Sequence, residues 1–264
     1  MKKNLAIWAT SLLLLSGCSS VPITGRQQLL LVSDSEVLSS SLTQYDSYIK
    51  TAVKSTSTSR TNMVKRVGRR IANATEQYLR ENGLSREIAN FKWEFNLIKD
   101  KQVNAFCMPG GKIVVYEGLM NIVNSDDELA VVLGHEVAHA VAKHSNERMS
   151  QQLAAQYGAK ILTQGLANKS ASIQRVAANV YGIGAQYGLM LPFSRKHESE
   201  ADYMGLVFMT MAKYNPDVAL NFWKKMSASS QGKVPEFMST HPSDVTRINA
   251  IKRALPGIKQ KYQR

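Results

Sequence analysis

Spaced by its apolar positions, the chain reads as helices around one short block of strand period. Ser33 precedes Asp34 and Glu36, an N-cap followed by acidic residues, so a helix is expected to start there. Across 62–82, Val64, Val67, Ile71, Ala74 and Tyr78 recur at helical spacing and Gly83 follows. That predicts a second helix with one apolar stripe. The stretch FKWEFNLI, Phe91 to Ile98, begins with apolar and polar residues in alternation, the period of a strand. In VNAFCMPGGKIVVY, Pro109-Gly110-Gly111 parts two short apolar runs, which reads as a β-hairpin. Ser125 and Glu128 make the S-x-x-E pattern of a capping box and predict a helix from Asp126 to about Asn146. Residues 149–191 are helical in pattern and rich in Ala, Gly and Gln, with polar residues throughout, so no membrane span is read there. More helices are expected at about 195–214, from Pro216 at a first helical position, and at 244–254 after the loop His241-Pro242-Ser243. The fold class is therefore α+β: one mostly helical domain, 33–264, with a small sheet.

Composition changes this picture at the front of the chain. With 264 residues and 44% hydrophobic content, a sizeable core is expected. Lys2 and Lys3, an apolar run from Leu5 to Leu15 and small residues at Ser16 and Gly17 lay out a secretory signal peptide, 1–17. The sequence LSGC resembles a bacterial lipobox, which implies cleavage before Cys18 and a lipid on its thiol. An ordinary signal peptide with a chance cysteine is the alternative. Residues 18–32 then form a lipid-anchored linker. Loss of Lys2 and Lys3 takes the net charge from +13 to +11, which suits an anionic membrane surface. The basic residues are dispersed, so nucleic acid is not an expected partner. With Cys18 lipidated, Cys107 has no disulfide partner and reads as a small buried hydrophobe. The expected location is the bacterial envelope. Ser19 after the lipid cysteine is compatible with an outer-membrane anchor facing the periplasm.

The chemistry concentrates in GHEVAHAVAKH, Gly134 to His144, which holds three of the five histidines in otherwise apolar sequence. Buried imidazoles need partners, and Val and Ala supply none. His135 and His139 lie four apart and share a helix face, with Glu136 between them on the flank. This is H-E-x-x-H, a spacing that lets two imidazoles hold one Zn²⁺ while the glutamate takes a proton from water. A catalytic zinc needs a third protein ligand. Glu198, Asp202 and Gly205 are spaced to share a face of a later helix. There Glu198 can ligate, Asp202 can accept the spare N–H of a ligating histidine, and Gly205 permits close helix approach. Glu200 reads as a solvated charge. His144 and His197 are left out of the metal shell.

GHEVAH followed by SRKHESEAD resembles the zinc metallopeptidase (gluzincin) family of HtpX and the CAAX prenyl endopeptidases, which carry H-E-x-x-H and a distal E-x-x-A-D. Asn104 to Met120 resembles the family's strand and turn before the active-site helix, and VPITGRQQLLLV and THP resemble its exported lipoprotein branch. The membrane-spanning helices of HtpX and the prenyl endopeptidases have no counterpart in this sequence. The resemblance implies a zincin-like metalloprotease domain with one Zn²⁺ per chain, Glu136 as base, and a protein or peptide substrate among misfolded or unassembled envelope proteins. A chaperone or assembly factor that binds envelope partners with little cleavage is the rival reading. His241 has three: oxyanion stabiliser, inhibitory zinc ligand, or a turn histidine. Asn104, Ala105 and Phe106 are candidates for an edge strand that pairs with extended substrate. Residues 149–191, with five glycines, are a candidate cover over the cleft.

Overall fold

The computed structural model describes residues 18–165, 167, 171, 175, 191–228, 237, 241 and 245–263. The expected signal peptide, most of 166–190, Pro242 and Ser243 lie outside them. In chain order the elements are β1 (Cys18–Ser20), β2 (Gln27–Leu29), α1 (Asp34–Thr51), α2 (Thr58–Glu81), the single turn α3 (Ser85–Ile88), β3 (Glu94–Ile98), β4 (Ala105–Met108), β5 (Lys112–Tyr116), the single turn α4 (Glu117–Met120), α5 (Asp126–Val141), α6 (His144–Gly165), α7 (Leu191–Met211), α8 (Val218–Ala228) and α9 (Val245–Tyr262). This is the mostly helical α+β architecture expected. Among the described residues no helix is long and apolar enough to cross a membrane.

The chain forms two compact units. One takes Leu38–Ala142 and His197–Arg264; the other takes the chain up to Val37 and Lys143–Lys196. In the first, the sheet has the order β3-β5-β4, with β5 parallel to β3 and antiparallel to β4. The hairpin turn falls at Gly110 and Gly111, whose φ angles of 94° and 79° are costly for residues with a Cβ. Tyr45 of α1 packs on Ile98 and Val114 and donates its hydroxyl to Glu94 at 2.7 Å. Helix α2 buries the expected stripe of Val64, Val67, Ile71, Ala74 and Tyr78 and packs on β3 and α5.

In the second unit β1 pairs antiparallel with β2, Cys18 opposite Leu29. The segment from Arg26 to Asp34 is clasped to the start of α6. Arg26 makes a two-point pair with Glu147 at 2.8 and 2.7 Å, and the Leu31 amide donates to Ser150 Oγ at 2.7 Å. Asn146 Nδ2 donates to the Val32 carbonyl at 2.9 Å, and Lys143 pairs with Asp34 at 2.6 Å.

Several expected helix boundaries are corrected. The helix from Asp126 ends at Val141 rather than near Asn146, because Lys143 turns to φ 56° before α6 begins. Lys213, at φ 63°, follows the end of α7. Pro216 lies in a turn, and α8 starts two residues later, with Asn215 Oδ1 accepting the Asp217 amide. The last helix continues through Pro256 to Tyr262.

Candidate metal centre

Helix α5 starts where the capping box places it. Ser125 Oγ accepts the Glu128 amide at 3.2 Å, and the Glu128 carboxylate closes on the Asn124 amide one residue further back. From Leu129 to Ala138 every residue is buried. A helix apolar nearly all round sits in the core, so its polar residues need partners from within the protein.

Those partners arrive through a backbone contact. A Cβ on Gly134 would lie 2.7 Å from the Gly205 carbonyl oxygen, and one on Gly205 would lie 2.7 Å from the His135 nitrogen. Helices α5 and α7 therefore touch main chain to main chain, as Gly205 led us to expect. Glu198 and Asp202, on the same side of α7, come to His135 and His139.

Four donor groups converge: His135, His139, Glu198 and His241 each offer a ligand atom, all within 4.8 Å of one another. His135 Nε2 lies 3.0 Å from His139 Nε2, 3.2 Å from a Glu198 oxygen and 3.3 Å from His241 Nδ1. Glu198 is 3.4 Å from His139 Nε2 and 3.0 Å from His241 Nδ1. Zinc bonds of about 2.0–2.1 Å in a tetrahedron put neighbouring donors about 3.3 Å apart, so the set fits Zn²⁺ in size and chemistry. The electrostatics agree. Burial opposes charge on His135, yet Asp202 and Glu198 carry its pKa up to about 9. Burial alone would raise the Glu198 carboxyl, but the three histidines hold it well below the usual carboxylate range. Both shifts describe a pocket that favours a cation.

Asp202 takes the place expected of it, with Oδ1 3.1 Å from His135 Nδ1. Its own support comes from Arg247 of α9, which the sequence did not bring to attention. Arg247 donates to both Asp202 oxygens at 2.8 Å, lies 3.3 Å from Glu198, and donates to the His241 carbonyl at 3.0 Å. Its guanidinium stands over the Trp223 ring. Trp223 stacks on Phe237, and Phe237 stacks on His241 with centroids 4.6 Å apart. These aromatics were also missed; only the six-residue step from His241 to a basic residue near the start of a helix hinted at Arg247.

Glu136 is 2% exposed. Oε2 accepts the Cys107 amide at 3.1 Å, while Oε1 accepts no hydrogen bond and lies 3.5 Å from His241 Nε2. Burial raises its carboxyl, against the neighbouring imidazoles. Burial, reinforced by Glu136, also pushes the Cys107 thiol well above its ordinary value, in keeping with an unreactive thiol.

The remaining candidates fall as follows. Asn104 precedes β4, and Ala105 and Phe106 lie in it; β4 is an edge of its sheet and packs beside α5. Phe106 is edge-on to Tyr48 and Tyr116 and so also serves the core. The Cys18 backbone is in β1. Glu200, expected as a solvated charge, is buried, because α7 is enclosed on more sides than an amphipathic reading allows. His144 and His197 are buried outside the four-donor group.

Curated relatives carry similar sequences. The mitochondrial metalloendopeptidase OMA1 of Schizosaccharomyces pombe is 39% identical over 178 residues, 67% of this chain and 50% of that protein. The human OMA1 metalloendopeptidase is 29% identical over 241 residues, 89% of this chain and 45% of its own. The beta-barrel assembly-enhancing protease of Yersinia pestis is 32% identical over 163 residues, 60% of this chain and 33% of its own. The chain thus spans about half the length of the first two and a third of the last. The model of Peptidase family M48 matches residues 58–255, which include His135, Glu136, His139, Glu198, Asp202, His241 and Arg247. With the four-donor cluster in place, the chain belongs to peptidase family M48.

Proposed function

We propose that this chain is a zinc-dependent endopeptidase of the bacterial envelope, with Glu136 as its base. The observation that carries the reading is the state of Glu136. One oxygen is fixed by the Cys107 amide, and the other is buried beside the donor cluster with no hydrogen bond. A buried acceptor left open is costly unless it has a proton to receive. His135, His139 and Glu198 would hold the zinc, and Asp202 would orient His135. Zinc, when bound, supplies a Lewis acid that polarises a scissile carbonyl and acidifies water. Glu136 accepts the proton of that water and passes it to the leaving amine. Such a base favours cleavage over a chaperone role, since binding alone needs none.

Substrate enters extended along β4. Asn104 and Met108 turn their carbonyls toward β5, so by strand alternation Ala105 and Cys107 turn theirs away, as acceptors for substrate N–H groups. Main-chain pairing reads little sequence, which suits unfolded envelope proteins as substrates. Cys18 is the lipid anchor, on the outer membrane facing the periplasm. The signal peptide at 1–17, the linker at 18–32 and the peptidase domain at 33–264 complete this organisation.

His241 is best supported as a resting ligand, because its Nδ1 is as close to His135 and Glu198 as the other donors are to each other. In that position it occupies the place a water needs. His241→Ala should then raise basal proteolysis, whereas an oxyanion role predicts a fall of roughly 10²–10³-fold with zinc retained. The whole reading is tested by digesting an unfolded protein with purified mature chain while zinc is quantified. About one zinc per chain and hydrolysis lost in Glu136→Gln are expected. Equal rates in wild type and Glu136→Gln would sink it.

A further inference from the structure

Of the large hydrophobic residues that stand exposed among the described residues, Leu31, Met149, Tyr157 and Ile161 belong to the unit that contains Cys18; Val53 alone belongs to the other. Tyr157 and Ile161 are 64% and 69% exposed and one turn apart on α6. Tyr157 lies eleven residues after Asn146 and Ile161 eleven after Ser150, about three turns in each case. On the face of α6 that carries the clasp in its first turns, Tyr157 and Ile161 thus stand exposed among the described residues. Leu31, 44% exposed, sits at its start through the bond to Ser150.

Charge says what covers this face. The only acidic residue of α6 is Glu147, which is buried against Arg26. Lys160, three residues after Tyr157, is exposed beside this face, and Arg148, about two and a half turns before Tyr157, is exposed on the other side, so no exposed anion of α6 borders the face. An apolar face with a tyrosine, bordered by a lysine and no anion, matches the headgroup layer of an anionic bilayer. The position of the anchor says how it gets there. Cys18 pairs with Leu29, about 5 Å away across an antiparallel ladder. Leu31 is two residues further, at most about 7 Å of chain. Cys18 is thus within about 12 Å of the start of the apolar face.

We propose that this face of α6, with Leu31, lies in the headgroup layer of the anionic membrane to which Cys18 is anchored. The inference rests on the reading of Cys18 as a lipid anchor and goes beyond it. The lipid on Cys18 is one point of attachment, and the face with Lys160 adds a second, salt-sensitive one. It also fixes this unit flat against the bilayer rather than leaving it to swing on a tether.

The test uses the lipidated full chain in vesicles of phosphatidylethanolamine and phosphatidylglycerol, in a Cys107→Ala background. A polarity-sensitive fluorophore is placed by Ile161→Cys, or independently by Tyr157→Cys. Gln152→Cys is the control, nine residues before Ile161 and so about two and a half turns round, on the opposite face. Quenching by spin-labelled lipid should be at least about threefold stronger at 161 and 157 than at 152. It should weaken in 0.5 M salt or neutral vesicles, as an electrostatic contribution demands. Vesicle flotation with equal, weak quenching at all three sites overturns the inference and leaves the anchor standing. Absence of flotation removes the anchor and the inference together. Shielding at 161 without lipid, with density-dependent cross-linking between chains, would make the face a contact between copies. Shielding only by added unfolded protein would make it a substrate surface. Either result also overturns the proposal.

Discussion

Helices α5 and α6 follow one another with two residues between them and are held in opposite ways. Helix α5 is buried nearly all round, packs on α2, β4 and α8, and meets α7 main chain to main chain. Helix α6 is fixed in its first two turns by polar contacts and then exposes Tyr157 and Ile161. The first arrangement has little freedom to adjust, which suits donors that must hold a few tenths of an ångström. The second is held by polar contacts in its first turns and exposes large apolar side chains further on.

The largest effect is expected at Arg247. Arg247→Leu leaves the buried Asp202 without its two-point partner and should cost about 3–5 kcal/mol of stability. Arg247→Lys, which keeps the charge and loses the fork, should cost less. Chemical denaturation reads both; equal stabilities would mean that His135 alone satisfies Asp202. Next is Gly205→Ala. Its new methyl meets only backbone, so α5 and α7 must part, at about 1–3 kcal/mol and with reduced zinc occupancy. Wild-type zinc content in that variant would break the claim that α5 cannot adjust.

Arg26→Ala sharpens the contrast from the other side. It removes the two-point partner of Glu147, whose side chain is 2% exposed, at about 1–3 kcal/mol. Faster hydrogen exchange in 26–34 and the first turns of α6 is expected, with zinc content unchanged. Loss of zinc would show that the two helices are not held independently. The smallest effect belongs to Arg66→Ala, which removes an exposed pair with Asp126 at the start of α5. Its denaturation midpoint should barely move, and salt should mask what change there is.

The parts of this molecule that were legible share one property: their cause lies in nearby residues. The cap at Ser125 is a four-residue pattern, the stripe on α2 a repeat within one helix, and the H-E-x-x-H spacing a single turn. Glu198 and Asp202 were legible because their own helix puts them in line with Gly205. The missed features come from elsewhere in the chain. Arg247 is 45 residues from Asp202, and nothing in its neighbourhood announces a carboxylate. Trp223 and Phe237 look like ordinary core residues until His241 stacks beside them. The end of α5 was misread for a different reason. Sequence marks a left-handed helix stop with glycine, and here a lysine takes that conformation at about 1–2 kcal/mol, with its ammonium on Asp34. Lys213 does the same after α7.

The outer edge of β4, with which no strand pairs among the described residues, bears on how this protein keeps from aggregating. Both outward amides of the strand are already taken, that of Ala105 by the Asn104 side chain and that of Cys107 by Glu136. The outward main-chain groups left over are carbonyls. Two such edges brought together would set acceptor against acceptor, and no ladder could form across those positions. This edge is thereby a poor template for its own copies. It still offers acceptors to a foreign chain that brings its own N–H groups.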